Sequence, residues 1–373
     1  MMKWFKKSSQ KDQSVTQAIT NIERKFEVYR IAIALLISLS IIIIIIALVA
    51  EEPLESIKTL VLGPLSSLRR MGNVIELTIP LTFTGLAITM MFKTHRFNLS
   101  AEGSFYLGSM VAVMVALYAP FGPFMNVIVG LLAGALAGGL LGVIPALINY
   151  KFGASEIVIS LMGNYIVAFF VQYLLNYVVR DIDSYTIQSY PLPEGTSLMQ
   201  LIPGARIHIG IFIALAAVVV SYLVLYRTKW GYMLRMTGMN EKFAKYSGVK
   251  VMTVIILTQF IGAAIAGLGG AVEMFGIYTT FQFAASPGYG WDGIIVASLA
   301  SLNPAFVPLA ALFIAYIRVG ASILNRTTSV PSEIMVFVQA IIILFIASKA
   351  FMRAQKEKKI IETSETFSTE GAE

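Results

Sequence analysis

Three features of the sequence predict an all-α polytopic membrane protein of about ten transmembrane segments, with the N- and C-termini both in the cytoplasm. Apolar runs recur along the whole chain, and several reach the roughly 20 residues that a helix needs to cross a bilayer. Charge is scarce: 57% of residues are hydrophobic and 13% charged, with a mean hydropathy of +0.76, whereas a soluble domain carries roughly 25% charged residues. The Lys and Arg that do occur gather in the segments that this topology puts on one side.

Residues 1–30 form a polar, Lys-rich cytoplasmic tail with amphipathic character near ITNIERKFEVYRI. Residues 31–50, IAIALLISLSIIIIIIALVA, carry no charge and form the first span. This run is too long for a signal peptide, and Glu51, Glu52 and Pro53 follow it in place of a small-residue cleavage site. EEPLESIKTLVLGPLSSLRRMGN is polar to amphipathic and reads as a short interfacial helix. Spans are expected next at about 74–92, 104–119, 124–148, 157–179, 207–226 and 252–277. PFGP, residues 120–123, is a tight turn. The longest polar segment, 180–206, is rich in Ser, Tyr and Pro. After TTFQFAASPGYGWDG, an apolar run breaks at Asn303 and Pro304 into two shorter segments, about 294–302 and 306–319. A last span at about 334–352 closes a transmembrane domain of residues 31–352. Residues 353–373 are a cytoplasmic tail of mixed charge and disordered composition. Most of the 28 Lys and Arg then lie in the N-terminal tail, at Lys93, Arg96 and Lys151, in the loop 227–251, and near the C-terminus, all on the cytoplasmic side.

The composition excludes several classes. With no cysteine, disulfides, thiolate catalysis and Cys-ligated metal sites are ruled out. The two histidines, His95 and His208, are far apart in sequence and do not suggest a metal site. The net charge of +7 reads as cytoplasmic-loop charge and not as a nucleic-acid surface. The sequence has no Walker motif, no H-E-x-x-H and no G-x-S-x-G. GLGG, at 267–270, sits inside an apolar span and lacks the Lys-Ser/Thr of a phosphate loop.

Small residues mark the fourth and seventh spans. Gly130, Gly134 and Gly138 repeat at i+4, as do Gly262 and Ala266. In lipid, apolar burial cannot drive helix pairing, so close backbone approach must do so; these residues read as packing. Glu76, Glu273, Asn164 and Gln172 lie within or near spans, where polar groups are costly and often functional. Each Glu is open to three readings: structural pairing, a polar translocation path, or proton coupling. Glu273, about one turn from the end of its span, is placed to reach an outer aqueous vestibule.

The basic loop RTKWGYMLRMTGMNEKFAKYSGVKV, residues 227–251, stands out in so apolar a chain. Asn240 suits an N-cap, Glu241 the first turn and Gly248 the C′ position. The short helix between them is marginal alone, since nucleation is costly. Phe243 and Tyr246, at i and i+3, share a face, with Lys242 and Lys245 beside them. These features fit docking of a protein partner and contact with anionic membrane lipid equally well.

Four stretches resemble, in order, the motifs of permease subunits of bacterial ATP-binding-cassette (ABC) importers, in the family that includes ribose, nucleoside and branched-chain amino acid permeases. FNLSAEG (97–103) is similar to F-N-[IL]-x-x-E-G. GASEIVISLMGNYI (153–166) is similar to G-x-[NS]-E-[IV]-[IV]-x-[ST]-L-M-x-N-Y. GMNEKFAKYSGVKV (238–251) resembles the cytoplasmic loop G-x-N-x-x-A-[AK]-Y-[AS]-G-[IV]. SPGYGWDGIIVASLASLNP (286–304) resembles G-x-G-[FYW]-[DE]-x-I-x-V-A-x-L-x-x-x-x-P, departing from it where SLNP lacks the more usual Gly before NP. The resemblance covers roughly residues 76–352, and the AEG and GYGWDG forms look most like nucleoside-type permeases. It implies a multi-pass protein of the bacterial cell membrane that moves nucleosides by alternating access. It implies as partners ABC ATPase subunits that bind ATP and Mg, a second homologous permease subunit and an external substrate-binding lipoprotein, with no cofactor on this chain. Gly238, Asn240, Lys242, Phe243, Ala244, Lys245, Tyr246, Ser247 and Gly248 would form the helix that couples to the ATPase. Asn98, Glu102, Asn164 and Glu273 are the candidates for a translocation path or gate. The competing readings are a permease for a simple sugar such as ribose, a stand-alone ion-coupled transporter, and a membrane scaffold or sensor.

Overall fold

The computed structural model describes residues 40–41, 44, 52–202 and 204–327. The spans expected at 31–50 and 334–352 and the two tails lie outside the described residues, apart from positions 40, 41 and 44. The chain divides into two units, residues 59–323 and the flanking 1–58 with 324–373. In the flanking unit, residues 40, 41, 44, 53–58 and 324–327 are helical.

Helices dominate the larger unit. α1 (Pro53–Leu62) runs into it and ends in a 3₁₀ turn, Gly63–Leu65, where the interfacial helix is expected. α2 (Leu68–Phe92) begins six residues before the expected span, because Ser67 supplies an N-cap: its side chain accepts from the Arg70 N–H at 3.3 Å. Pro80 sits inside α2 and cannot donate to the preceding turn. α3 (Ala101–Tyr118) and α4 (Pro123–Phe152) are separated by PFGP, where Gly122 takes φ +86 and Pro123 opens the helix. Pro at the first helical position loses nothing, since its missing N–H would be unpaired there anyway. α4 ends at Gly153 in the left-handed region, φ +69, and α5 (Glu156–Tyr177) follows.

The polar segment after α5 adds one short strand pair to an otherwise helical fold. A two-stranded antiparallel hairpin, β1 (Gln200–Ile202) and β2 (Ile207–His208), pairs Gln200 with His208 and Ile202 with Ile207. Ile207, expected to start the sixth span, therefore lies in a strand, and α6 (Gly210–Arg227) starts after it. α7 (Lys229–Met239) and α8 (Glu241–Tyr246) build the basic loop, and α9 (Val251–Ile277) returns through the bundle. The break at Asn303 and Pro304 is present: α10 (Tyr289–Leu299) ends before it, Asn303 caps a 3₁₀ turn, and α11 (Val307–Thr327) follows. Among the described residues, seven helical stretches are long and apolar enough to cross a membrane; α10, with 11 residues, is too short to do so.

α9 is the axis of the larger unit and packs on α2, α3 and α4. The small residues make this possible. A Cβ on Gly134 would meet the Gly108 carbonyl, one on Gly138 the Ala263 carbonyl, and one on Gly267 the Gly134 carbonyl, so α3, α4 and α9 touch backbone to backbone. Gly262 faces the other way, against Ala87 and Met91 of α2. Around this seam lie buried clusters centred on Phe83 and Phe275, and on Tyr106 and Phe281. The helix face turned away from it carries exposed apolar side chains, such as Leu132, Leu136 and Leu140 of α4 and Met162, Tyr165 and Phe169 of α5. That pattern is what a lipid-facing surface requires.

Candidate functional site

Two irregular backbone stretches enter the bundle, and polar side chains satisfy them. The first is Phe97–Ser100, leading into α3. Asn98, fully buried, donates through Nδ2 to the Gly142 carbonyl at 2.9 Å and accepts from the Ser100 N–H at 3.0 Å. Asn164 donates to the Leu99 carbonyl at 2.9 Å and accepts from the Gly103 N–H at 3.0 Å. Ser160 accepts from the Leu99 N–H at 3.0 Å. Non-helical backbone at membrane depth persists only where protein or water fills its hydrogen bonds, and α5 and α4 do that here.

The second stretch is SPGYG at the start of α10. Gly288 takes φ +83 and turns the chain into the helix. The Glu102 carboxylate, 2% exposed, closes this end. Oε1 accepts from the Gly288 N–H at 2.7 Å and from the Ser286 hydroxyl, and Oε2 accepts from the Gly290 N–H at 2.5 Å. A carboxylate suits a helix N-terminus because unpaired N–H groups and the helix dipole both favour negative charge there. Gly290 and Gly293 let α10 lie against Glu102 of α3 and Thr84 of α2, where a Cβ would collide. α10 is thus wedged between two spans by close backbone contact.

Beyond α10 lies a buried acidic group. Glu273, expected near an aqueous vestibule, is instead 2% exposed. Its Oε1 accepts from the Tyr289 hydroxyl at 3.4 Å, and its Oε2 has no hydrogen-bond partner. Tertiary packing explains the difference: Tyr289, which also packs edge-on against Phe105 at 5.1 Å, covers the turn of α9 that sequence position leaves near the surface. Glu76 pairs with Arg206 at 3.6 Å, and Asp292 on α10 pairs with Arg318 on α11 at 2.5 Å. Gln172 donates to the Ala284 carbonyl at 2.8 Å. The four candidate path residues fall into two pairs: Asn98 and Asn164 fix the approach to α3, whereas Glu102 holds the α10 N-terminus and Glu273 is reached by Tyr289 of α10. The Asp292–Arg318 pair escaped the sequence reading, although an Arg in the apolar run FIAYIRVGASIL is itself a signal.

The basic loop forms a separate feature. α8 is one short helix, as its caps predict. Asn240 accepts from the Phe243 N–H at 3.0 Å, Gly248 takes φ +84, and the Gly248 N–H donates to Lys245. Ala244 is fully buried, whereas Lys242, Phe243, Lys245, Tyr246, Ser247 and Gly248 are exposed. Tyr246 is 91% exposed. α7 supports α8 from behind; a Cβ on Gly238 would strike the Lys93 carbonyl, so this glycine seats α7 on the turn after α2. A cavity of ≈ 570 Å³ opens between α7, α8 and α9, lined by Trp230, Met233, Phe243, Lys250 and Leu257 among others. Arg96 joins the loop to the bundle: it donates to Glu241 at 2.8 Å and to Asn149 at 3.0 Å, and lies 3.9 Å from Glu156. The segments KTHR, NYKFGASE and the basic loop thus come together at one end of the larger unit.

The chain is similar to known proteins over most of its length. The chain is 32% identical over 289 residues to the guanosine ABC transporter permease protein NupP of Bacillus subtilis, covering 76% of this chain and 82% of that one. It is 29% identical over 333 residues to the glucose ABC transporter permease protein TsgB13 of Haloferax volcanii, covering 83% and 84%. It is 28% identical over 331 residues to the nucleoside ABC transporter permease protein NupB of Lactococcus lactis, covering 86% and 91%. The family described as branched-chain amino acid transport system / permease component matches residues 70–347, a range that takes in both polar stretches, the buried acids and the basic loop. This multi-pass membrane protein belongs to that permease family.

Proposed function

We propose that the chain is the membrane permease subunit of an ATP-driven importer and that its cargo is a nucleoside. The observation that carries the ATP-driven reading is α8: a capped six-residue helix with Phe243 and Tyr246 exposed, anchored through Arg96 to the turns after α2 and α4. A helix this short gains little stability by itself, and an exposed aromatic edge beside Lys242 and Lys245 suits a cleft on a protein partner. In this reading the partner is a separate ATPase subunit that binds ATP and Mg, so this chain performs no hydrolysis. The ends of α2 and α4 joined by Arg96 carry Lys93, Arg96 and Lys151, which supports a cytoplasmic location for that end. A second, homologous permease subunit and an external binding lipoprotein complete the assembly.

The nucleoside assignment draws on the relatives named for guanosine and for nucleosides. In this reading Asn98, Glu102, Asn164 and Glu273 line or position a gate at α10, whose movement opens the path to one side at a time. The glucose relative favours a sugar as the second reading. Deleting the gene should abolish uptake of labelled nucleosides, and complementation should restore it. Normal nucleoside uptake with loss of glucose or ribose uptake in the deletion strain would transfer the assignment to sugars.

A further inference from the structure

Arg96 stands between two carboxylates that differ in environment. Glu241, on α8, has a side chain 54% exposed and accepts from Arg96 at 2.8 Å. Glu156, the first residue of α5, is 6% exposed; neither of its carboxylate oxygens has a hydrogen-bond partner, and its ion pair with Arg96 is 3.9 Å long. A charge-assisted N–H···O bond is normally about 2.8 Å, so the guanidinium satisfies the exposed acid and stops about 1 Å short of the buried one. An incompletely satisfied buried carboxylate is costly, whereas an exposed ion pair contributes little. The arrangement is therefore poised: Nη2 holds Glu241, and Nη1 donates to Asn149 at 3.0 Å while standing 3.9 Å from Glu156, so if α8 takes Glu241 away, Arg96 closes on Glu156 by a small shift that exchanges Asn149 for the carboxylate.

Arg96 is also firmly connected on its other side. Two residues on, Asn98 bonds Gly142, and Leu99 bonds Ser160 and Asn164; these lead directly to Glu102 and the N-terminus of α10. We propose that Arg96 is a positioning residue that switches between Glu241 on α8 and Glu156 on α5, carrying movement of the coupling helix to the loop that holds the buried gate. As a transport device the switch rests on the reading of α8 as the docking helix. As a two-state contact it is tested without any partner.

The chain has no cysteine, so spin labels can be placed at Tyr246→Cys on α8 and Met162→Cys on α5, both exposed positions, in the purified full chain in lipid nanodiscs. Pulsed-EPR distances between them should shift in opposite directions in two variants. Glu241→Gln should raise the long-distance population about fivefold, the factor for an exposed charge pair at the top of its usual range. Glu156→Gln removes the competing acid and should narrow the distribution toward the short distance. Arg96→Gln should abolish the response to both. Shifts of the same sign, no shift in Glu241→Gln, or responses that persist in the Arg96→Gln background would overturn the switch. Docking is tested separately, by co-purification of Phe243→Asp and native chains with an ABC ATPase; the native chain alone should retain the ATPase, and equal retention by both or by neither would count against the docking reading and leave the EPR result standing.

Discussion

At the scale of single residues, the polar groups within the larger unit mainly repair irregular backbone. Glu102 is the clearest case, with three donors converging on one carboxylate. Glu102→Ala leaves those donors unfilled in a buried site, a loss on the order of 3 kcal/mol or more, and should lower both thermal stability and uptake. Glu102→Gln keeps the shape but exchanges an acceptor for a donor, so it should retain less than half of the uptake while being better folded than the Ala variant. His208 gives a pH prediction. It is fully buried, its Nδ1 accepts from the Gly210 N–H at 3.2 Å, and burial pushes its pKa down from 6.5 to about 4. The unfolded chain therefore binds a proton below pH 6.5 that the folded chain refuses until about pH 4, so stability falls as pH drops through that window, by at most about 3 kcal/mol. Thermal melts in detergent from pH 7 to 4 should show this loss, and His208→Gln should flatten it. The motif FNLSAEG made Asn98 and Glu102 visible as candidates; which backbone groups they serve was invisible, because those groups lie 44 and more than 180 residues away.

At the scale of elements, the glycine repeats and the capped loop helix were legible because their signals are local. Gly134 meets the Gly108 backbone on α3 and the Gly267 backbone on α9. Gly134→Leu should therefore separate α4 from both, and the amount of protein in the membrane fraction should fall several-fold on immunoblots; a normal level would show that the seam tolerates a side chain. For α8, Gly248→Pro should fail because Pro requires φ near −65° where the chain has +84°. Phe243→Asp leaves the fold alone, since that ring is 59% exposed, and should abolish transport while the protein remains in the membrane. Measuring ATP hydrolysed per nucleoside imported separates uncoupling from loss of protein. The β1–β2 hairpin and the early start of α2 were missed for a different reason. Both lie at the polar–apolar boundary, where apolar residues such as Ile207 fit a strand or a helix equally well and a cap such as Ser67 moves the start by several residues.

At the scale of the whole molecule, the buried acids and α10 lie inside the bundle and α8 is exposed, and in the proposed function α8 is the part that a separate ATPase would engage. Orientation can be measured directly. A single cysteine at Lys245, in this cysteine-free chain, should react with a membrane-impermeant maleimide in inverted vesicles and not in intact spheroplasts; the reverse pattern would place the basic loop outside. The sequence by itself determined that the chain is a helical membrane protein, where most helices run, and that Asn240 and Gly248 bracket one short capped helix, although not that α7 precedes it in the same loop. Each of these follows from hydrophobic run length, charge placement or residues within a few positions of each other. Only the tertiary structure decided that α10 is a buried wedge capped by Glu102, that Tyr289 shields Glu273, and that Arg96 faces two acids. Those facts depend on how helices rotate and approach, which is set by backbone contacts at Gly108, Gly134, Gly267 and Gly290 between segments far apart in the chain. In a bilayer, where apolar patterning does not reveal which face of a helix meets its neighbour, no local signal carries that information.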